Sequence, residues 1–203
     1  MKTPGFNLRE ISPRTIVIVA ALIVAVAAYR VLSVEVLPGL PNFSPVMAVA
    51  FCGAFFLRGV TAWVLPFGAL LISDLLLSVA MGYPLVSGGA LAAWACVAAA
   101  IGMGRWMVSK GWVGGTALFG GVVANSFLFY LVTNTASWVA NPAYVKSAAG
   151  WVQALTVGLP GYPPTWMFFR NSLASDLLFS GLILAVVLVA SARREIRPVP
   201  ARA

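Results

Sequence analysis

VTAWVLPFGALLISDLLLSV, residues 60–79, decides the fold. Twenty residues at helical rise span roughly 30 Å, the hydrocarbon thickness of a bilayer, so the stretch reads as a transmembrane helix. Its one acid, Asp74, sits among leucines, where a charge is costly and normally faces the bundle interior or a water-filled cavity. The phrase recurs: Ser73-Asp74-Leu75-Leu76-Leu77-Ser78 returns as Ser175-Asp176-Leu177-Leu178-Phe179-Ser180. In each copy the serine four residues after the aspartate shares its helical face. Asp74 and Asp176 are therefore the first candidates for function.

Outward from that stretch, composition settles the class. The 203 residues are 61% hydrophobic and 9% charged, with several apolar runs near twenty residues long. No water-soluble core absorbs that much apolar surface, so the chain is expected to be an all-α integral membrane bundle forming one domain. The net charge of +8 comes from basic residues gathered at helix ends, which fits membrane topology and a lipid partner better than nucleic acid. Histidine is absent, which excludes Ser-His catalysis, imidazole metal sites and His-ligated haem. Cys52 and Cys96 lie in apolar runs without CxxC spacing, and Cys96 is read as a packing residue.

Six spans are expected, at 15–32, 44–57, 60–79, 88–103, 112–133 and 173–192, with an extracytoplasmic cap loop at 134–171. The first run follows Lys2, Arg9 and Arg14 and contains Ala25-Val26-Ala27, a pattern shared with signal peptides. It continues past that triplet and is read as a retained span. Leu37-Pro38-Gly39-Leu40-Pro41 cannot continue a helix, and Asn42 or Ser44 can cap the next one. That second run is short for a full crossing, either a broken helix lining a solute site or one extended through its flanks. Gly88, Ala92, Cys96, Ala100 and Gly104 form one stripe of small side chains on the fourth span. Asn125 shares a close-packed face with Ala117 and Gly121 on the fifth, where it either bonds a neighbouring helix or contacts a ligand. The cap loop carries Trp138, Tyr144, Trp151, Tyr162 and Trp166, with a short helix expected over 148–157. These aromatics either anchor the chain at the interface or form a lid.

Six spans put both termini on one side, with ten basic residues there against Arg30, Lys146 and Arg170 opposite. The positive-inside rule makes that side cytoplasmic. Asp74 and Asp176 then lie in the outer half, where Asn42, Tyr83, Ser87 and Asn134 can converge with them on a pocket opening outward.

Several phrases together resemble a known family. They are Asn42-Phe43-Ser44-Pro45, Gly53-Ala54-Phe55-Phe56, the Pro66 to Asp74 helix, Ser126-Phe127-Leu128-Phe129 with Thr133-Asn134 and Trp138, and Asn171 with Ser175-Asp176. Across Pro38 to Phe179 the chain looks like small bacterial membrane proteins similar to the substrate-binding S-components of energy-coupling-factor transporters. The best understood branch is a solitary, six-helix, cobalamin-specific component. The resemblance implies a bacterial cytoplasmic membrane protein that binds a vitamin or similar ring-bearing micronutrient from the outer face, with Asp74 in the pocket. It implies no resident cofactor, a cobalamin-like molecule being a substrate. The cobalamin branch uses a cysteine after its Ser-Asp helix as a cobalt ligand, whereas this chain has Ser87 with Gly88 and Gly89. A serine hydroxyl is a far poorer soft-metal ligand than a thiolate, which argues against cobalt ligation and decyanation. No nucleotide-binding P-loop is present, so coupling to ATP would need a partner subunit.

The candidate ligand-binding set is Asn42, Phe43, Asp74, Tyr83, Ser87, Asn125, Asn134, Trp138 and Asp176, with no catalytic residue and no metal ligand. Two other readings stay open. The paired acids could activate water in a peptidase dyad, Asn171 to Asp176 faintly resembling a lipoprotein signal peptidase motif, or they could be purely structural.

Overall fold

Proline and glycine punctuate the chain as their backbone chemistry requires, and helices fill the intervals. The computed structural model describes residues 13–57 and 59–195, with side chains over 16–57 and 59–190. Among the described residues there are seven helices and no strand: α1 (Pro13–Val36), α2 (Val46–Phe56), α3 (Thr61–Met81), α4 (Gly88–Ser109), α5 (Gly115–Ala140), α6 (Ala148–Leu155) and α7 (Thr165–Glu195). Five of them are long and apolar enough to cross a membrane. The protein is a multi-pass helical membrane bundle.

The bundle is built around α2. Its 11 residues rise about 16 Å, half a bilayer. It is apolar on every side, and it touches α3, α4, α5 and α7. A helix that is hydrophobic all round is a buried one. Phe51, Cys52 and Ala50 are at most 1% exposed. The expected span at 44–57 is therefore a short, enclosed core helix rather than a full-length crossing helix.

Small residues let the neighbours close on it. A Cβ on Gly104 of α4 would sit 3.0 Å from the Phe51 carbonyl oxygen and 3.1 Å from Ala54 Cβ, and one on Gly121 of α5 would collide with the Phe51 ring. The expected stripe on α4 packs accordingly, with Ala92, Cys96, Ala100 and Gly104 all buried. Cys52 donates to Ser180 Oγ of α7 at 3.3 Å, while Ser44 N and Ser175 Oγ meet at 3.3 Å one end away. These pairs run α2 parallel to α7. Gly88 against Ala140 and Met107 against Gly121 run α4 antiparallel to α5. Ile23 lies over Gly68, and Arg30 reaches Asp74, so α1 and α3 run the same way. α1 and α3 thus share one direction, as do α2 and α7, while α4 and α5 oppose one another.

Several long helices run past their expected ends. α4 runs on to Ser109, α5 to Ala140, and α7 starts at Thr165, directly after Pro163-Pro164. Prolines at a helix start sacrifice no hydrogen bond, so the second pair of the loop's prolines begins a helix instead of holding one off. The cap shrinks to the segment between Ala140 and Thr165, with the expected short helix present as α6. Lys2, Arg9, Arg58, Arg197 and Arg202, which carry much of the orientation argument, lie outside the described residues.

Candidate functional site

Two polar centres interrupt the apolar bundle, one at each copy of the Ser-Asp phrase. At the first, the Arg30 guanidinium of α1 forms an ion pair with Asp74 Oδ1 through Nη1, which also donates to Ser73 Oγ at 2.6 Å. Asp74 Oδ2 accepts from Trp94 Nε1 of α4 at 2.9 Å. Both carboxylate oxygens are thus engaged, and Asp74 ties α1, α3 and α4 together. Intramembrane charges pair with one another when they can. Asp74 is accordingly a brace rather than an open ligand contact, and Arg30 belongs to this centre rather than to the outer basic count.

At the second, Asp176 of α7 is 3% exposed and accepts from Ser126 Oγ of α5 at 2.6 Å. The Ala48 backbone N–H, in the first turn of α2, is a second partner of its carboxyl group. Asn125 adjoins the same corner and is 2% exposed, yet neither its Oδ1 nor its Nδ2 meets a hydrogen-bond partner. Ser175, the residue before the acid, donates to the Ser44 carbonyl at 3.1 Å, and Asn171 Nδ2 donates to the Pro41 carbonyl at 3.0 Å. These bonds hold the proline-rich segment 37–45 against α7. In both copies the useful serine precedes the aspartate; the one four residues later bonds elsewhere in the second copy, where Ser180 accepts from Cys52.

A cleft joins the two centres. It has a volume of about 90 Å3 and is walled by Arg30 of α1, Asn42 and Ser44 of the connecting segment, Val46 and Met47 of α2, Leu70 of α3, Ala93 and Val97 of α4, Phe129 of α5, and Ser172 and Asp176 of α7. Asn42, exposed at its rim, has the left-handed φ of 64° that asparagine tolerates better than other side chains. Of the expected set, Asn42 and Asp176 line this cleft. Asp74 touches it only through Arg30.

The remaining expected residues do other work. Phe43 packs edge-on against Phe179, ring centroids 6.1 Å apart. Ser87 caps α4, accepting from Ala90 N at 3.1 Å, and Tyr83 is exposed in the turn before it. Asn134 donates to the Tyr130 carbonyl one turn back in its own helix, because the helix runs through the position where a loop was expected. Trp138 Nε1 donates to the Val145 carbonyl at 2.9 Å with Lys146 over its ring, and Trp151 Nε1 donates to Thr135 Oγ1. These bonds fasten the aromatic cap to the end of α5, and no residue between Ala140 and Thr165 lines the cleft. In that cap, burial pushes the Tyr144 phenol above its ordinary range. Among the described residues no group of three His, Cys, Asp or Glu could hold a metal.

Sequence reasoning missed Arg30, Ser44, Trp94, Ser126 and Ser172. For Arg30 the signal was in view: it lies inside the expected first span, and a buried cation calls for a buried acid. The serines stood within the quoted phrases, but nothing in their spacing assigned them to a cleft, and Trp94 carried no signal.

Residues 10–199 match the model of a family described as "Family of unknown function (DUF6580)". No curated protein matches the chain and no solved structure does.

Proposed function

The chain belongs to the DUF6580 family, and we propose that it is a substrate-binding membrane protein that takes up a compact, polar micronutrient from the outer face of a bacterial cytoplasmic membrane. In this reading α1 to α5 and α7 make six passes, α2 completing its pass through the extended segments that flank it, and both termini are cytoplasmic. The observation that carries the reading is the cleft itself, where Arg30, Asn42, Ser44, Ser172 and Asp176 gather polar and charged groups around an opening in an otherwise apolar bundle. Polar groups converging in a concave site are how small-molecule sites are built. The absence of a P-loop leaves any ATP coupling to a separate subunit.

The size of the cleft bears on the ligand. A volume of about 90 Å3 is well under the roughly 300 Å3 at which sites for drug-sized molecules begin. A ring-bearing vitamin would enter only if segment 37–45 parted from α7, breaking the Asn171 and Ser175 bonds to Pro41 and Ser44. The cleft as it stands suits a solute of a few heavy atoms. A peptidase dyad gains no support, since each carboxyl group keeps its own partners, whereas a dyad shares a proton. For Asp74 alone the structural reading is favoured, both its oxygens being engaged within the bundle.

The test is mass spectrometry of small molecules released from protein purified out of native membranes. We expect a defined polar solute in the wild type and its loss in Asp176→Asn. Empty wild-type protein whose melting temperature no micronutrient raises would overturn the reading.

A further inference from the structure

Among the described residues, one acid on the cleft has no cationic partner. Arg30 and Asp74 neutralise one another, while no described cation pairs with Asp176, whose partners are the Ser126 hydroxyl and the Ala48 backbone N–H. A buried carboxylate in a bundle of this kind is expected to find a positive partner. The donors that reach the Asp176 carboxyl group are all neutral. Beside Asp176 the Asn125 amide is unpartnered at both its oxygen and its nitrogen. An ammonium group brings the positive charge that Asp176 lacks, with N–H donors for its remaining lone pairs. Across the cleft, Arg30 makes both of its bonds through Nη1. Its remaining N–H groups therefore suit a neutral acceptor, since its charge is already matched by Asp74.

Resting on the uptake reading, we propose that the cleft takes a compact monovalent organic cation: an amine of a few heavy atoms, its ammonium on Asp176 and a hydroxyl or carbonyl oxygen toward Arg30. A bare metal ion would leave most of the cleft's volume of about 90 Å3 unfilled. A zwitterion would place a second carboxylate on an arginine that already serves one.

The test is calorimetry of the full-length protein in detergent at fixed pH and ionic strength, with ethanolamine as the probe and glycine, acetate, glycerol and sodium chloride as the alternatives. Ethanolamine is expected to bind saturably, at least about tenfold more tightly than each alternative, with the preference lost in Asp176→Asn. Ser172→Lys places a tethered ammonium one helical turn from Asp176 on the same face. It is expected to abolish ethanolamine binding while keeping or raising the melting temperature. The inference is overturned if glycine, acetate or glycerol binds as well, if sodium alone reproduces the effect, or if Ser172→Lys still binds ethanolamine. A neutral or anionic solute released from native protein would overturn it and leave the uptake reading standing. No bound solute of any class would remove both.

Discussion

Arg30→Ala is expected to destabilise the folded bundle by about 3 kcal/mol, the lower end of what breaking a buried ion pair costs, because the pair keeps some solvent access. The substitution leaves the Asp74 carboxylate with only the Trp94 indole as a donor inside an apolar bundle, and the unpaired charge is the main penalty. It also unfastens α1, whose spanning window is only 17% buried and which packs chiefly on α3. Removing both charges together, as Arg30→Met with Asp74→Leu, is expected to recover most of the loss, since an apolar pair of similar volume needs no charge compensation. Equilibrium unfolding in mixed micelles compares the three variants. If the double variant is as unstable as either single one, the pair is not the brace described here.

Phe51→Ala is expected to cost about 3–5 kcal/mol, the usual toll for emptying a phenylalanine site in a close-packed core. Phe51 is 1% exposed and lies against Gly104 and Gly121. Those backbones approach so closely that they cannot collapse further into the space. Phe55, half-buried one turn on and in ring contact with Phe51, is the control, and Phe55→Ala is expected to cost clearly less. Equal losses at both positions would mean that α2 is not the centre of the packing. The same unfolding measurement reads both.

The class of this protein was legible because several apolar runs of bilayer length in one short chain cannot all be buried in a water-soluble core, and Thr61–Met81 emerged almost as Val60–Val79 foretold. The short helix α6 was also legible, with Ser147 accepting from Gly150 N at its start. The position of α2 was not. A helix that is apolar on all sides carries no periodic signal for which face is inside, so its shortness suggests a deficient span when it is a sign of enclosure. Helix ends were misjudged at Asn134 and Trp166 because polar and aromatic residues suggest a loop, although each fits a helix whose end stands at the interface. The acids were legible as special but not in their roles. Asp74 and Asp176 sit in nearly identical phrases, and only the neighbours that folding delivers, Arg30 and Trp94 to one, Ser126 and Asn125 to the other, tell them apart.

The uptake reading depends above all on a cleft that opens to the outer face, and a single cysteine reports on that most directly. Cys52 and Cys96 are 0% and 2% exposed, so neither competes for a water-borne reagent. Ser44→Cys, at the cleft, and Lys110→Cys, in the turn at the opposite end, are treated in intact cells with a membrane-impermeant maleimide. Labelling is expected at Ser44→Cys in intact cells and at Lys110→Cys only after the membrane is permeabilised. The reverse pattern, or a Ser44→Cys protein that stays unlabelled in both conditions, would contradict an outward-facing cleft.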